Sequence, residues 1–460
     1  MAVMLTGAGI EPLPLQTEAA ILVEMSTGRV LYERNMHQRM YPASMTKILT
    51  ALLVLEHLDP DDVLIVGPEI RNMPAGYATG VFTEGSHVTV RVLLKGLLIR
   101  SVNEAGRVLA LHVVQEYNQR FNLDYLNEAK PQFADMMNDY AQALGARDSN
   151  FTNPYGLHHL RHFTTAYDLA LISRAFMADP LLAEIAGMWN FTGDGLEGQY
   201  AAGRQVQQFN WTNTNQMLPN GAHGHPFVTG MRTGYTTPAG ECLAASAYHN
   251  GLGLITIVFD SANPGRWNDT RRLLDHGFAN YAFRTLADGE VLTHTVQLDN
   301  PRLEDDGVLS VFSAGEHTAL LSVSELATLQ RVVTYDPTLI ATPDEGEEDD
   351  GIVRLRIPLG GFEEGDTVGW VNYLINDAVV FTTGLYAAHA VLERTFDSDM
   401  DFWIYRVFSA MFSRAAVPYW FGVIGFLFGF ICLIIAITIS RRARGYGSYS
   451  GRWRAPRGRF

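Results

Sequence analysis

The stretch Tyr41-Pro42-Ala43-Ser44-Met45-Thr46-Lys47 holds a serine three residues before a lysine and runs directly into the apolar segment 48–55. That segment has helical character, so Ser44 and Lys47 are expected to share one helical face. A serine hydroxyl is a weak nucleophile until a neighbouring base takes its proton. A lysine amine can be that base if burial or positive neighbours lower its pKa. The stretch therefore predicts a nucleophile paired with its own base.

Lysine is rare in this sequence, which strengthens an otherwise weak S-x-x-K signal. Of the 34 lysines and arginines, only Lys47, Lys95 and Lys130 are lysines. The chain uses arginine almost wherever a cation is needed, and a guanidinium does not release its proton in a protein. We therefore interpret Lys47 as a residue retained for proton transfer.

Length and charge set broad limits on the class of protein. A chain of 460 residues predicts roughly two to three domains with ample core. The net charge of −15 argues against a nucleic-acid-binding surface. The two cysteines, Cys242 and Cys432, lie far apart in different kinds of segment, so they do not report the redox compartment.

The C-terminal region has the pattern of a membrane anchor. An uncharged apolar run extends from Tyr419 to Ile439, close to the roughly 20 residues that a spanning helix needs. Aromatic residues start the run, and seven arginines without an acidic residue follow it. The pattern predicts a transmembrane helix at 418–440, a cytoplasmic tail at 441–460, and an extracytoplasmic position at the cell membrane for everything before. A buried core helix is the less favoured alternative.

Two further segments bear on the membrane. Aromatic residues recur at Phe402, Trp403 and Tyr405, so we expect 391–417 to form an amphipathic helix at the membrane surface, with a helix packed on the protein as the alternative. Export also requires a signal, but the N-terminus has no basic region and no clear cleavage site. We interpret 1–18 as the remnant of a leader.

Hydrophobic periodicity between these ends predicts two domains. Strand patterns at 19–25 and 29–33 and at 227–260 enclose a mainly helical insertion, and a helix is expected at 270–286. We therefore predict an α/β catalytic domain at 19–288. Short strands separated by Gly and Asp predict a small antiparallel β domain at 289–390.

Three short motifs supply a coherent set of chemical groups. Ser44-x-x-Lys47 is followed by Ser101-Val102-Asn103 and then by Arg232-Thr233-Gly234. In this interpretation Ser44 attacks a carbonyl and becomes an acyl-enzyme, while Lys47 takes its proton. Ser101 relays a proton to the leaving amine, and Asn103 holds the substrate amide or Lys47.

The third motif is expected to bind substrate on a strand edge. The cation of Arg232 can receive a carboxylate, and the backbone of Thr233, Gly234 and Tyr235 can align an extended peptide by strand addition. Backbone N–H groups of Ser44 and Tyr235 are the predicted oxyanion donors.

With these motifs the chain resembles the D-alanyl-D-alanine carboxypeptidases of the low-molecular-mass penicillin-binding proteins over roughly 19–390. The matching stretches are 26–31, 42–47, 101–105, 151–157, 165–169, 232–236 and 239–243. The resemblance implies a penicillin-recognising α/β domain of the β-lactamase and transpeptidase type with a helical insertion, followed by a small β domain and C-terminal membrane attachment. It implies removal of the terminal D-alanine from peptidoglycan stem peptides, acylation by β-lactams, and no metal or other cofactor.

Two positions depart from the family pattern. Arg232 stands where the family usually has lysine, which keeps the charge but removes a proton donor. Glu104 stands where the family often has aspartate, a change we expect to be tolerated.

Four alternatives remain beside the carboxypeptidase. A β-lactamase needs a second base, and no Glu-x-x-Leu-Asn lies between Asn103 and Arg232. A penicillin-binding or cell-wall-binding protein with weak turnover is the non-enzymatic alternative. A Ser-His-Asp hydrolase is disfavoured because no G-x-S-x-G occurs, and a zinc peptidase because no H-E-x-x-H occurs. His158, His159 and His162 are expected to line a loop.

Overall fold

The computed structural model describes residues 13–71, 73, 79–120, 129–199, 202–288, 291–342, 352–411, 431 and 433–440. The chain divides into two compact units. The first is Met1–Arg284 with Ala319–Ser324, and the second is Thr285–Thr318 with Glu325–Phe460. Each unit contains its own hydrophobic core.

The first unit begins with a hairpin, continues through helices and returns to three long strands. Its elements are β1 (Ala19–Glu24), β2 (Val30–Arg34), a 3-10 turn (Ala43–Thr46), α1 (Lys47–His57), β3 (Val63–Ile65), a second 3-10 turn (Pro68–Ile70), β4 (His87–Thr89), α2 (Val90–Lys95), a π-helical turn (Gly96–Arg100), α3 (Asn103–Arg120), α4 (Ala129–Ala143), α5 (Ala166–Ala178), α6 (Pro180–Gly187), β5 (Asn190–Asp194), β6 (Gln208–Thr212), β7 (Val228–Thr236), β8 (Gly240–His249), β9 (Leu252–Ser261), α7 (Gly265–Asn280) and β10 (Tyr281–Asp288).

The central sheet of the first unit is antiparallel, in the order β2-β1-β9-β8-β7. Successive residues of β1 face opposite sides: Ile21 and Val23 join the core under the helical layer, whereas Ala20 and Leu22 join the core under α7. Because both faces are covered, the strands read as continuous apolar runs. Among the described strands, β7 pairs only with β8 and forms an edge of the sheet.

Helix α1 lies in the larger of the two cores of this unit. Its residues 47–54 are all buried, and it packs against α3 and α5. An apolar helix surrounded in this way carries its first residue, Lys47, into the interior. The burial of Lys47, the predicted base, therefore follows from the packing of α1.

The helical insertion and its exit differ from the prediction in detail. Helix α6 and the hairpin of β5 and β6 were not anticipated. The helix predicted at 270–286 begins at Gly265 and ends at Asn280, and Tyr281 begins β10. The prediction of helix to 286 was wrong because Tyr281 and Phe283 alternate towards the core as strand residues do.

The described elements of the second unit are mainly strands. Its elements, some of which include residues of the first unit, are β11 (Val291–Asp299), β12 (Val308–Ser313), β13 (Glu316–Ser322), α8 (Val323–Thr328), β14 (Gln330–Tyr335), β15 (Arg354–Arg356), β16 (Thr367–Ile375), β17 (Ala378–Ala387) and α9 (Phe396–Met411). Six of the strands form one sheet in the order β14-β16-β17-β12-β11-β15. All its neighbours are antiparallel except β11 and β15, which are parallel.

The predicted membrane segments are only partly described. Helix α9 lies within the predicted amphipathic segment, and most of 412–440 falls outside the described residues, as do 1–12 and the tail 441–460. Within the described parts of the chain, no helix combines the length and the apolar character needed to cross a bilayer.

Candidate active site

The serine and the lysine of the first motif are in contact. Ser44 lies in the 3-10 turn before α1, where residues three apart are eclipsed, so Lys47 returns to the same side. The Nζ atom of Lys47 is 2.9 Å from Ser44 Oγ. Ser101 approaches the same atom, and its hydroxyl donates to Ser44 Oγ at 3.2 Å. The structure thus brings the first two motifs together at one oxygen.

Lys47 is held in surroundings that favour its neutral form. Its side chain is fully buried. Burial, followed by the positive charge of Arg232, lowers the pKa of Lys47 well below its usual value. The Nζ atom also donates to the backbone carbonyl of Tyr155 at 2.8 Å, which fixes its direction. A neutral amine aimed at a serine hydroxyl is the arrangement that a general base requires.

The carbonyl of Tyr155 is presented by a turn that Asn153 organises. The Asn153 Oδ1 atom accepts from the N–H groups of Gly156 and Leu157, both at 2.8 Å. Gly156 has a φ of +82°, and a Cβ atom there would collide with the backbone carbonyl of Ala43. Only glycine fits at this point, so the turn can lie directly against the segment that carries the nucleophile.

The second motif follows the π-helical turn. Ser101 has a φ of 67°, and this left-handed conformation turns the chain from the π-helical turn into α3. Asn103, the first residue of α3, is 5% exposed. Its Oδ1 atom has no hydrogen-bond partner among the described residues. Because a buried amide oxygen without a donor is costly, Asn103 is suited to accept an N–H group from a bound substrate.

The third motif lies on the edge strand β7, next to the nucleophile. A Cβ atom on Gly234 would come within 2.7 Å of the Pro42 carbonyl oxygen, so the strand and the Ser44 segment are in close contact. Tyr235 follows and is 58% exposed. The predicted oxyanion donors, the N–H groups of Ser44 and Tyr235, therefore belong to two adjacent segments.

The side chain of Arg232 is buried beneath the edge of β7 and does not project into solvent. Its side chain is 1% exposed, and its Nη1 atom donates to the Leu98 carbonyl and to Thr214 Oγ1, each at 2.8 Å. Thr233 also donates to Thr214, at 3.2 Å. Burial, with a smaller effect of Arg266, lowers the pKa of Arg232 to about 9, so it remains charged at neutral pH. The guanidinium ties β7 to the π-helical turn that precedes Ser101.

A second arginine, which the sequence interpretation missed, lies at the same edge. Arg266 comes from the first turn of α7, and its Nη1 atom donates to the Gly234 carbonyl at 3.3 Å. It forms an ion pair with Glu241 and keeps 16% of its side chain exposed. No motif surrounds Arg266, and only the fold brings it beside β7.

Glu104 has a structural task next to Asn103. Its buried carboxylate accepts backbone N–H groups from Gly80 at 2.5 Å, Val81 at 3.0 Å and Phe82 at 3.1 Å. It thereby fixes the segment that passes the start of α3. An aspartate side chain is one methylene shorter. The length of the Glu104 side chain therefore matches its distance from the backbone of 80–82.

The buried side chain of His162 holds the turn that carries Ser44. Its Nδ1 atom accepts from the Thr152 N–H at 3.0 Å, so the Nε2 atom carries the proton and donates to Thr46 Oγ1 at 2.8 Å. The Thr46 hydroxyl donates in turn to the Ala43 carbonyl at 2.8 Å. Both ring nitrogens are thus engaged in holding the Ser44 turn, a role that the sequence interpretation of a loop residue missed.

The buried imidazole predicts a loss of stability in acid. Burial, with smaller effects of His159 and His158, lowers the pKa of His162 from 6.5 to about 3. Its contribution to the free energy of unfolding is therefore complete above pH 6.5 and is lost as the pH falls towards 3, because only the unfolded chain takes up the proton. Between about pH 7 and pH 4, urea denaturation should show the wild type losing roughly 3 kcal/mol more than His162→Gln.

His37→Gln is the matched control, because His37 is exposed. This variant should keep the acid sensitivity of the wild type. Parallel pH profiles for the wild type and His162→Gln would show that the folded protein protonates His162 as readily as the unfolded chain does.

Comparison with known sequences places these motifs in a family. The family model described as D-alanyl-D-alanine carboxypeptidase, peptidase S11, matches residues 8–263. The D-alanyl-D-alanine carboxypeptidase DacF of Bacillus subtilis is 30% identical over 382 residues, which cover 80% of this chain and 90% of that protein. DacD of Salmonella typhimurium is 31% identical over 283 residues, or 59% of this chain and 65% of that protein.

Solved structures show the same fold. Penicillin binding protein 5 from Haemophilus influenzae matches with a TM-score of 0.56 at 23% identity, over 84% of this chain and 100% of that one. Penicillin binding protein 6B from Escherichia coli matches with a TM-score of 0.57 at 24% identity, over 82% and 96%. These matches confirm the predicted α and β fold of the transpeptidase type. The chain belongs to the D-alanyl-D-alanine carboxypeptidase family, peptidase S11.

Proposed function

We propose that the chain is a serine-type D-alanyl-D-alanine carboxypeptidase that removes the terminal D-alanine from peptidoglycan stem peptides, and that β-lactams acylate the same serine. The observation that carries this proposal is the buried amine of Lys47, 2.9 Å from Ser44 Oγ and with a lowered pKa. Membership of the family supports the choice of substrate.

In the acylation step Ser44 Oγ attacks the carbonyl carbon of the penultimate D-alanine. Its proton passes to the neutral amine of Lys47, and the C–N bond to the terminal D-alanine breaks. Ser101, within hydrogen-bond distance of Ser44 Oγ, relays this proton from Lys47 to the departing amine, so Lys47 is neutral again. In the second step a water molecule attacks the ester carbonyl carbon and Lys47 takes a proton from it. Lys47 then returns this proton to Ser44 Oγ as the ester C–O bond breaks, which restores the free serine and the neutral amine.

Substrate is proposed to bind as an added strand along β7. The free edge of β7 supplies backbone groups, and the unpartnered Oδ1 atom of Asn103 accepts an amide N–H of the peptide. We assign the terminal carboxylate to the guanidinium of Arg266, which is the more exposed of the two arginines, and to the hydroxyl of Thr233, whose proton turns from Thr214 to the carboxylate when the peptide binds. The buried guanidinium of Arg232 adds a positive charge beneath β7.

The C-terminal region is proposed to attach the protein to the cell membrane. The uncharged run from Tyr419 to Ile439 and the arginines after it support a spanning helix with a cytoplasmic tail. Helix α9 supports a surface-lying segment before it, since Phe396, Trp403 and Tyr405 are 55% to 72% exposed. Such an anchor holds the catalytic unit on the side where peptidoglycan lies.

Ser44→Ala tests the proposed reaction. The wild type should release D-alanine from diacetyl-lysyl-D-alanyl-D-alanine and should be labelled at Ser44 by a fluorescent penicillin. Ser44→Ala should lose the label and about a thousandfold or more of the release, since no other group replaces the nucleophile. Exposed Ser324 provides the control variant Ser324→Ala.

Three results would separate the alternatives. A protein that takes no label at Ser44 is not a carboxypeptidase of this type. Label without D-alanine release identifies a penicillin-binding protein with weak turnover. Rapid hydrolysis of the penicillin identifies a β-lactamase.

Arg232 variants test the role of its charge. Arg232→Met removes a cation near Lys47, so the pKa of Lys47 should rise and the pH profile of penicillin acylation should move to higher pH. At neutral pH we expect acylation to fall at least tenfold, because less of the base is neutral. Arg232→Lys keeps the charge and should keep the profile. An unchanged profile in Arg232→Met would show that Arg232 does not act on Lys47.

Truncation tests the anchor. In cells the full chain should remain in the membrane pellet after a carbonate wash, and a chain ending at 411 should move to the supernatant. Removal of 441–460 alone is the matched control and should leave the protein in the pellet. Full-length protein in the supernatant would exclude a spanning helix.

A further inference from the structure

The six-stranded sheet of the second unit has a face turned away from its core. In β16, Val371 and Tyr373 are buried, whereas Trp370 and Asn372 point to the other side. The register places Thr334 and Gly384 on either side of Trp370, and Val332 and Thr382 on either side of Asn372. We call the part of this surface on β12, β14, β16 and β17 the outer face; it consists of Phe312, Val332, Thr334, Trp370, Asn372, Thr382, Gly384 and Tyr386.

An aromatic platform occupies one part of the outer face. The indole of Trp370 is 39% exposed, and its neighbour on β17 is Gly384, which has no side chain to cover it. The Tyr386 hydroxyl lies over Gly384. Tyr386 also contacts Phe312 across the strands, with ring centroids 5.7 Å apart. A flat apolar surface with a phenol beside it is therefore open to solvent.

A row of neutral hydrogen-bonding groups lies next to the platform. The Thr382 hydroxyl donates to Asn372 Oδ1 at 2.8 Å, and Asn372 Nδ2 donates to Thr334 Oγ1 at 3.2 Å. These contacts fix the orientation of the amide. Asn372 still has a second N–H, and the Thr334 hydroxyl still has its own proton, so both can donate to a ligand.

The outer face carries no charge. None of its eight residues is ionisable at neutral pH, although the chain contains 34 basic and 49 acidic residues. The charged residues that the register places on the same side of the sheet, Asp299, Arg354 and Arg356, lie on β11 and β15. A phosphate, a nucleic acid or a charged peptide would therefore find no counter-ion on the outer face itself. The apolar area around Trp370 is also interrupted by Thr334, Asn372 and Thr382, whereas the centre of a protein interface is more continuously apolar.

A pyranose ring matches this combination of groups. One side of the ring presents C–H groups that stack on an aromatic surface, and its edge presents hydroxyl and acetamido groups that hydrogen-bond to amides and hydroxyls. We propose that the outer face binds the uncharged N-acetylated amino-sugar backbone of peptidoglycan. The identity of the polymer rests on the proposed function, because that backbone carries the stem peptides; the neutral-glycan chemistry rests on the outer face alone.

Binding of the full chain to tetra-N-acetylchitotetraose and to peptide-free glycan strands whose lactyl carboxylates have been amidated tests this proposal by calorimetry. Both should bind the wild type. Trp370→Ala and Trp370→Leu should each weaken binding about tenfold or more, because both remove the stacking surface. Tyr248→Ala, which removes an aromatic side chain 57% exposed in the first unit, should bind as the wild type does. Circular dichroism of each variant checks its fold.

Several results would contradict glycan binding by the outer face. Absence of binding to both glycans, or undiminished binding by both Trp370 variants, overturns the proposal. So does Trp370-dependent self-association, or binding to phosphatidylcholine vesicles, in the absence of glycan binding. Peptide-free strands contain no D-alanine, so glycan binding by a protein without carboxypeptidase activity would uphold this inference while the proposed reaction failed.

Discussion

The structure depends on keeping one lysine amine uncharged beside a serine. Water would protonate an exposed amine at neutral pH, so Lys47 has to be buried, and a buried amine has to be directed by partners that do not restore its charge. The backbone carbonyl of Tyr155 meets this condition because it is neutral. The position of α1 between α3, α5 and the sheet follows from the same need, since it carries Lys47 inside.

Two basic side chains, Lys47 and Arg232, are buried near β7. The difference in their proton affinities decides which of them carries the positive charge. Arg232 and Lys47 are both buried, and the positive charge of Arg232 makes the charged form of Lys47 less favourable. A guanidinium holds its proton far more tightly than an ammonium, so the charge stays on Arg232 and the amine of Lys47 is left neutral. Arginine at this position therefore suits the division of roles and also reaches both Leu98 and Thr214.

The sequence predicted the parts of the site that depend on local spacing. Ser44 and Lys47 are three residues apart, and the helical geometry that joins them is set within one turn. The meeting of Ser101 with Ser44 followed from the order of the motifs, and the family resemblance is confirmed by the family match. The domain boundaries and the roles of the site residues stay predictions.

What the sequence did not reveal depends on contacts between distant segments. Arg266 and Thr214 have no motif around them and reach the site only because α7 and the segment after β6 pass β7. The tautomer of His162 is set by the Thr152 N–H, which no periodicity shows. The burial of Arg232 was missed for a similar reason: its residue type predicts an exposed cation, and only the partners from the π-helical turn make burial possible.

The open edge of β7 has a consequence for the behaviour of the protein in concentrated solution. Unpaired backbone groups on an edge strand accept any extended segment, including a strand from another copy of the chain. A covering loop, one of the usual protections of an edge strand, would also exclude the peptide. In this chain the edge strand packs against neighbouring segments instead. Gly234 contacts Pro42 on one side, and the Arg232 side chain donates a hydrogen bond to the Leu98 carbonyl beneath the strand. Solubility and turnover thus depend on the same few N–H and C=O groups, and a bound peptide shields them from aggregation.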